Sequence, residues 1–336
     1  TTSINGVTPN ANNVVGKNKI INGNMAIDQR NLGASLTPAE GIYTLDRWEA
    51  KQTTASKFSV QQSASIPPVG FTKYVRCTSL SAFSVGSSDQ FGLRQIIEGS
   101  NHYDLNWGTS DAKTITISFW VRSSLTGTFG CALYNYAGDR AYPFTYAISS
   151  ANTWEKKTVT VAGDTSGTWP ATSTAGIVLF FSLGSGSGVS GTAGAWSGSF
   201  LASVTGATSV VATSGATLDF TGVQLEAGSS ATEFEYRQYG TELGLCQRYY
   251  QQPIDSGLDF FAGYFVNGNY GPGVFDTWVV EMRATPTVVL TLGSLNAVGS
   301  VAVNYFNSKR FHLNPTANAT SNGFYYVAKL TADAEL

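Results

Sequence analysis

Ten carboxylates are the first candidates for chemistry, because cleavage of a glycosidic bond uses two of them. Such a pair stands about 5–10 Å apart, and one member has a raised pKa. The ten are Asp46, Glu49, Asp89, Glu98, Asp104, Asp139, Asp164, Glu226, Glu233 and Glu235. Most also suit a turn or an ion pair with a nearby arginine, as Glu235 does with Arg237. No internal repeat indicates the long parallel β-helix of many polysaccharide-cutting enzymes. We predict a protein without enzymatic activity.

Metal and cofactor chemistry has little support in the sequence. The two histidines, His102 and His312, are far apart, with no cysteine or carboxylate at metal-ligand spacing, whereas a zinc site needs several nitrogen or sulfur donors. A calcium ion joining Asn24 or Asp28 to Asp219 is an alternative, although no dense Asp/Asn loop supports it. Residues 184–188 read Gly-Ser-Gly-Ser-Gly, but outside the strand-to-helix turn that a serine nucleophile requires. We predict no metal and no cofactor.

Aromatic residues in loops suit the binding of sugars. A sugar needs a flat aromatic surface for its apolar face and amide or carboxylate groups for its hydroxyls. The loop-like aromatics of the first part of the chain are Trp107, Tyr134, Tyr136, Tyr142, Trp169 and Trp196. In the second part, residues 267–271 read Asn-Gly-Asn-Tyr-Gly, a turn that projects an aromatic ring. Each ring also suits packing against a neighbouring loop or subunit. Our candidate glycan contacts are Trp196, Asn269, Tyr270 and Trp169.

Composition narrows the class of protein. Only 12% of the 336 residues are charged and 36 are glycine, which disfavours a helical protein. Hydrophobic residues at 42% are too many for disorder. A net charge of −2 gives no basic face for nucleic acid, and no apolar run reaches the roughly 18 residues that span a bilayer. The three cysteines are odd in number and widely spaced, which indicates buried free thiols rather than disulfides.

Strand-like segments separated by turn residues fill most of the chain. Residues 114–121 place Ile115, Ile117 and Phe119 on one face, as a half-buried strand does, and residues 177–183 are almost continuously apolar, as in a strand covered on both faces. Residues 217–225 are expected to close a two-sheet sandwich, and residues 184–217 to form a long excursion inside it. Trp48, Trp120 and Trp154 lie within strands and are predicted to be core.

A short amphipathic stretch separates two modules. Leu243, Cys246, Tyr249 and Tyr250 form an apolar stripe at helical spacing, and six short β-like runs follow. The predicted fold class is all-β: a jelly-roll β-sandwich, a short helix and a smaller C-terminal β-domain. The predicted boundaries are an extended attachment segment over 1–19, the sandwich over 20–240, a linking helix over 241–252 and the β-domain over 253–336. The six runs are 260–266, 274–282, 287–292, 301–306, 310–313 and 324–330.

Several segments together resemble a family of bacteriophage tail-fibre and related virion-appendage proteins. The most informative is Asp-Phe-Thr-Gly-Val-Gln-Leu-Glu-Ala-Gly at 219–228, followed by Ala-Thr-Glu-Phe-Glu-Tyr-Arg at 231–237. With the other segments, the resemblance covers nearly everything from Lys19 onward. These segments are 20–30, 45–48, 95–99, 118–122, 152–157, 163–169, 280–287 and 332–336.

The resemblance implies a trimeric jelly roll, akin to carbohydrate-binding modules, on a virion fibre or tail. The expected function is adhesion to host-surface glycans by a tail fibre or receptor-binding protein. One alternative is a head fibre or decoration protein attached to the capsid through residues 1–19, and another is a polysaccharide-cleaving tail spike. The expected partners are two further copies of the chain, other virion proteins at the N-terminal segment and a host glycan. The expected location is the virion, assembled in the host cytoplasm, without nucleic-acid binding or membrane insertion.

Overall fold

The computed structural model describes residues 16–254, 259–271, 273–304 and 306–336. The chain divides into two compact units, the first ending at Tyr239 and the second comprising Gly240–Leu336. Residues 1–15 of the predicted attachment segment lie outside the described residues. Within the described residues, no helix has the length and apolarity to cross a membrane.

The first unit is built on two five-stranded antiparallel sheets. Sheet 1 has the strand order β1-β4-β9-β6-β7 and sheet 2 the order β2-β3-β12-β5-β8, so successive strands repeatedly change sheets. This confirms an all-β sandwich. The strands of sheet 1 are β1 (Glu49–Gln52), β4 (Gln90–Glu98), β6 (Gly127–Asn135), β7 (Ala141–Ile148) and β9 (Ala175–Ser185), and those of sheet 2 are β2 (Phe58–Ser63), β3 (Tyr74–Ser79), β5 (Ile115–Ser123), β8 (Glu155–Val161) and β12 (Thr217–Ala227).

Aromatic side chains from both sheets fill the space between them. Phe181 of β9 stacks on Phe220 of β12 with ring centroids 4.3 Å apart, and Trp48 packs edge-on against Phe220 at 5.3 Å. All three are fully buried. Burying large aromatic rings in this way is a main source of a sandwich's stability. The core prediction for Trp48 is therefore confirmed.

The core predictions for Trp120 and Trp154 are wrong. Phe119 and Val121 point into the core, and alternate residues of a strand face opposite ways, so Trp120 lies half-buried on the outer face of sheet 2. Trp154 just precedes β8, is half-buried, and donates its indole N–H to the carbonyl of Ile66 at 2.7 Å. The sequence shows that residues alternate between two faces of the strand, but it does not show which face packs against the core.

The excursion before β12 lies over one end of sheet 1. It contains the parallel pair β10 (Ser190–Gly191) and β11 (Ser203–Val204). The Ala202 N–H donates to the Val189 carbonyl at 2.7 Å, and the Val210 N–H to the Leu183 carbonyl at 2.7 Å. This excursion carries Trp196 back onto the sandwich.

The motif that follows β12 ties the N-terminal residues to the sandwich. Glu235 accepts the Gly16 N–H through Oε1 at 2.6 Å and the Asn18 N–H through Oε2 at 2.8 Å. Arg237 donates to the carbonyls of Ile20, at 3.1 Å, and of Asn18. The side chain of Asn18 in turn accepts the Leu225 N–H of β12 at 3.0 Å. Glu235 and Arg237 of the motif thus have a structural role. We call Glu235, Arg237 and Asn18 the N-terminal latch.

Glu235→Ala should lower the free energy of unfolding of the first unit by about 1–3 kcal/mol. The substitution removes the carboxylate that accepts both backbone N–H groups. The partly buried Asn18 N–H then has no acceptor, which costs about that much, whereas the exposed Gly16 N–H can bond to water instead. Urea unfolding followed by tryptophan fluorescence measures it, because six of the seven tryptophans lie in the first unit. The matched control is Glu233→Ala, since Glu233 is exposed. Equal stability of the two variants would contradict the structural role of the latch.

The second unit contains two antiparallel sheets and the helix. In one sheet the longest strand pairs with three others, and the second sheet has the order β15-β18-β17. Trp278, Phe311, Leu313 and Tyr325 are among the core residues. The elements are α1 (Tyr239–Gln247), β13 (Tyr250–Ile254), β14 (Asp259–Phe265), β15 (Val274–Thr277), β16 (Thr287–Asn296), β17 (Val298–Asn304), β18 (Arg310–Ala317) and β19 (Ser321–Asp333).

The predicted C-terminal end of the helix, at residue 252, is wrong. The helix ends at Gln247, and Tyr250 already pairs with Asp333 of β19. Tyr249 and Tyr250 are buried, so the two rings that completed the predicted stripe belong to the segment entering a strand. Pairing with a distant strand overrides a short helical pattern.

Candidate functional site

Three tryptophans from three separate loops meet at one end of the sandwich. Trp107 is almost fully buried, while Trp169 and Trp196 are half-buried. Their ring centroids are 4.8 Å apart for Trp107–Trp169, 5.3 Å for Trp107–Trp196 and 5.7 Å for Trp169–Trp196. All three contacts are edge-to-face, the geometry that aromatic quadrupoles favour. We call these residues the tryptophan cluster.

Each indole N–H of the cluster is already bonded to the backbone. Trp107 donates to Lys113 at 2.8 Å, Trp169 to Ser166 at 3.1 Å and Trp196 to Ala162 at 2.8 Å, in each case to the carbonyl oxygen. The rings are therefore fixed in orientation without help from a ligand. A preformed surface of this kind loses little conformational entropy on binding.

An ion pair and a tyrosine border the cluster. Arg140 donates to both carboxylate oxygens of Asp164 at 2.7 Å each, and its guanidinium carbon lies 6.0 Å from the Trp196 ring centroid. Tyr142 packs against Trp196 at 5.3 Å, and burial raises the pKa of its phenol. Hydrogen bonding to Asp164 raises the pKa of Arg140. The border of the cluster thus offers a fixed cation and a hydroxyl beside apolar rings.

A shallow cleft of about 350 Å³ opens directly beside Trp169. Tyr136 and Ala137, in the turn between β6 and β7, form one wall. Thr168 and Pro170, the two neighbours of Trp169, lie on another side. Tyr136 is 49% exposed, so its ring is accessible to a ligand in the cleft. The sequence placed Tyr136 among the loop aromatics but did not select it, because nothing local shows that it faces residues 168–170.

The structure brings two of the four candidate residues together. Trp169 and Trp196 lie in the tryptophan cluster, and both also pack against neighbouring loops. Asn269 and Tyr270 belong to the second unit, in a tight turn where the Asn269 N–H donates to the Val266 carbonyl at 3.0 Å. Tyr270 is 72% exposed there. The sequence did not indicate Phe275, which is 70% exposed and stacks on His312 with ring centroids 3.9 Å apart and planes 8° from parallel.

Several buried candidate carboxylates are engaged with protein groups. Glu49 binds Arg94 through both oxygens, at 2.8 and 3.0 Å, and Asp164 binds Arg140. Glu226 accepts the Thr232 N–H at 2.8 Å and its hydroxyl at 2.7 Å. Their contacts explain each of these three acids as structural. Among the described residues no group of three histidine, cysteine or acidic side chains is placed to hold a metal ion.

The calcium alternative conflicts with the contacts of Asp219. Its Oδ1 accepts a hydrogen bond from Arg76, and its Oδ2 accepts hydrogen bonds from both Arg76 and Arg122. Two guanidinium groups therefore lie where a cation would bind. Asp28 instead accepts the N–H groups of Asn31 at 3.0 Å and Gly33 at 2.8 Å. The three cysteines are buried and form no disulfide with one another, as predicted, and burial raises the pKa of the Cys131 thiol.

Comparison with solved structures gives partial superpositions. The enzymatically active domain of tailspike protein 4 from bacteriophage CBA120 is 12% identical over 63% of this chain and 22% of that one, with a TM-score of 0.35. A CBM4 structure is 14% identical over 62% and 98%, with a TM-score of 0.32. The CBM22-1 xylan-binding domain of Paenibacillus barcinonensis Xyn10C is 12% identical over 61% and 99%, with a TM-score of 0.30. No protein-family model and no curated protein matches the sequence.

Proposed function

We propose that this chain is a non-catalytic adhesive protein that binds carbohydrate at the tryptophan cluster and the cleft beside it. The observation that carries the proposal is the pair of half-buried, hydrogen-bonded indoles of Trp169 and Trp196, together with a cleft that the accessible ring of Tyr136 and both chain neighbours of Trp169 line. Fixed aromatic faces suit the apolar faces of pyranose rings, and the Arg140–Asp164 pair and Thr168 supply polar groups at the border. A cleft of about 350 Å³ is at the small end of ligand sites, which suits one or two sugar units.

The adhesive role extends to a virion appendage. The segments that resemble phage tail-fibre proteins, above all the β12 motif and the N-terminal latch, support an appendage assembled as a homotrimer. Three weak sites on one rigid trimer raise the effective affinity for a glycan-coated surface through high local concentration. Light scattering at micromolar concentration tests the trimer, and a monomer mass would overturn this part of the proposal. Imaging of intact particles tests the attachment, since density on a tail favours a fibre and density on a capsid favours the head-fibre alternative.

The contacts of the candidate carboxylates support binding of a glycan without its cleavage. Glu49 and Asp164 bind arginines, Glu226 binds Thr232 in the segment after β12, and Glu235 binds the N-terminal residues Gly16 and Asn18. These contacts leave the four acids without the freedom that acid–base chemistry requires. Incubation of the protein with purified host polysaccharide tests this point. We expect retention of the polymer without release of reducing ends, and a steady rise in reducing ends would establish the tail-spike alternative.

Tyr136→Ala should weaken glycan binding about tenfold while leaving the fold intact. Truncation removes one wall of the cleft, and a tenfold change corresponds to about 1.4 kcal/mol of contact free energy. Retention on an array of neutral and acidic oligosaccharides from one to eight units measures the effect. Tyr103→Ala is the matched control, because Tyr103 is 65% exposed and does not line the cleft. Unchanged retention of the Tyr136 variant would exclude the cleft, and absence of retention for the wild-type chain would exclude carbohydrate binding.

A further inference from the structure

The outer face of the three-stranded sheet of the second unit has a regular arrangement. Phe311 and Leu313 of β18 are buried in the core, and alternate residues face opposite ways, so His312, Asn314 and Thr316 face outward. The register continues this pattern across the sheet, because Asn304 of β17 is opposite His312. Opposite residues of an antiparallel pair project from the same face. The sheet therefore presents ordered rows of side chains to solvent.

Aromatic rings occupy both ends of this face. At one end Phe275 of β15 is opposite His312, and the two rings stack. At the other end Tyr270 bridges to Thr316. Both Phe275 and Tyr270 are at least 70% exposed. His312 and Thr316 are four residues apart on β18, which separates the two rows by about 13 Å at the usual rise of a strand.

The row between the rings is short and polar. It contains Asn314, opposite the small side chain of Ala302, and the neighbouring row adds Asn304. Both asparagines are half-buried, and within the described part of the chain neither side-chain amide has a hydrogen-bond partner. Half-buried amides usually have partners, so this row offers donors and acceptors to a ligand. We call Tyr270, Phe275, His312, Asn304, Asn314 and Thr316 the sheet platform.

We infer that the sheet platform binds a linear, neutral oligosaccharide of at least three sugar units. The inference rests on the proposed function for the ligand class, but it concerns a second site with a different requirement. Two rings about 13 Å apart cannot both contact a single sugar, whereas a chain can lie across the sheet with one unit on each ring and its hydroxyls on the asparagines between them.

The side chains of the platform favour this occupant over others. None of the six platform residues is lysine, arginine, aspartate or glutamate. The outward-facing charged residue of β18, Arg310, lies one outward row beyond His312, outside the span between the two rings. That span therefore offers no strong attraction to an acidic glycan or to a phosphate backbone. Its rings are separated by amides instead of forming one continuous apolar patch, as a protein interface core does. Binding should therefore depend little on salt concentration, in contrast to binding by exposed ion pairs.

The experiment uses the 336-residue chain and an array of linear oligosaccharides of one to eight units, neutral or containing uronic acids. We expect neutral chains of three or more units to be retained at least tenfold better than single sugars through this platform. Tyr270→Ala and Phe275→Ala should each reduce retention of the long chains at least fivefold and leave retention of one- and two-unit sugars unchanged. The matched control is Tyr264→Ala, because Tyr264 is 61% exposed but lies on β14, in the other sheet.

Three outcomes would overturn the inference: long neutral chains retained no better than short ones, a preference for acidic chains, or long-chain retention that neither substitution changes. Urea unfolding of each variant shows that the fold is kept. Binding at the tryptophan cluster and its cleft is measured separately, because Tyr136→Ala should reduce retention of one- and two-unit sugars. If that variant loses binding while the Tyr270 and Phe275 variants do not, the inference that the sheet platform binds glycan is wrong and the proposed function stands.

Discussion

Asp219→Ala is expected to lower the free energy of unfolding of the first unit by about 3–5 kcal/mol. Asp219 is 1% exposed and is the carboxylate between two arginines on the outer face of sheet 2. Arg76 binds both of its oxygens, at 2.8 and 2.9 Å, and Arg122 binds Oδ2 at 2.7 and 2.9 Å. Removing one partner of a buried ion pair leaves charge without compensation, which costs about that much.

Arg122 makes the loss severe, because its side chain is only 8% exposed. Its guanidinium lies 4.8 Å from the Trp154 ring centroid and 5.2 Å from that of Tyr74, so it cannot turn to water without breaking this packing. Arg76, with a side chain one-third exposed, can be hydrated more easily. Asp219→Asn should have an intermediate effect, because the amide oxygen still accepts hydrogen bonds but carries no charge.

Urea unfolding monitored by tryptophan fluorescence measures both Asp219 variants. Asp111→Ala is the control, since Asp111 is exposed and has no ion pair among the described residues. Exposed positions of this kind usually change stability by less than about 0.5 kcal/mol. A loss below about 1 kcal/mol for Asp219→Ala would show that the arginines are compensated by water and that the network is incidental to folding.

The strands of the sandwich were predictable because their signal is local. Ile115, Ile117 and Phe119 are all fully buried in β5, as their spacing predicts. The nearly continuous apolar run at 177–183 lies in β9, where even Phe180, on the face away from the main core, is fully buried. Period and apolar content are properties of a few consecutive residues, so they can be found without knowledge of the rest of the chain.

Features that depend on distant residues were not predictable. The stripe ending in Tyr249 and Tyr250 has helical spacing, but pairing with β19, more than 80 positions away, draws Tyr250 into a strand. Trp120 has the same alternation as its neighbours, and only the packing of the two sheets shows that it faces outward. Local pattern determines the period of an element, whereas tertiary contact determines its ends and its covered face.

The candidate sites show the same division. Trp169 and Trp196 were identifiable as loop aromatics, yet their convergence on Trp107 requires loops from three parts of the chain to meet. Tyr270 was identifiable because Gly268 and Gly271 mark a turn, and Gly268 does adopt a positive φ of 76°. Phe275 was not identifiable, because it lies within an apolar run and only the register with β18 shows that its ring is on the exposed face.

The stability of the first unit is expected to fall as the pH is lowered from about 7 to 4, through His102. The imidazole is 2% exposed, and burial lowers its pKa from 6.5 to about 4. Between these values the unfolded chain binds a proton that the folded chain excludes, so stability decreases as the pH falls through this window. The difference in pKa corresponds to a loss of about 3 kcal/mol at pH 4.

Packing explains why the folded unit excludes this proton. A Cβ on Gly176 would lie 1.9 Å from His102 Nε2, and this atom has no hydrogen-bond partner among the described residues. The charged groups facing the imidazole are Asp104 and Lys19, which bind each other at 2.8 Å. Asp104 favours protonation and Lys19 opposes it. Their opposing effects leave burial as the dominant cause.

His102→Gln isolates this contribution, because the variant keeps every other titratable group of the chain. Its free energy of unfolding, measured in urea at intervals from pH 7.5 to 4, should fall less steeply than that of the wild type, and the two curves should converge by about 3 kcal/mol. Lost packing shifts the variant's curve by a constant amount and does not change its slope. His312→Gln, in the second unit, is the control and should follow the wild-type slope for the first unit. Parallel curves for the wild type and His102→Gln would mean that the buried imidazole accepts a proton in the folded state as readily as in the unfolded chain.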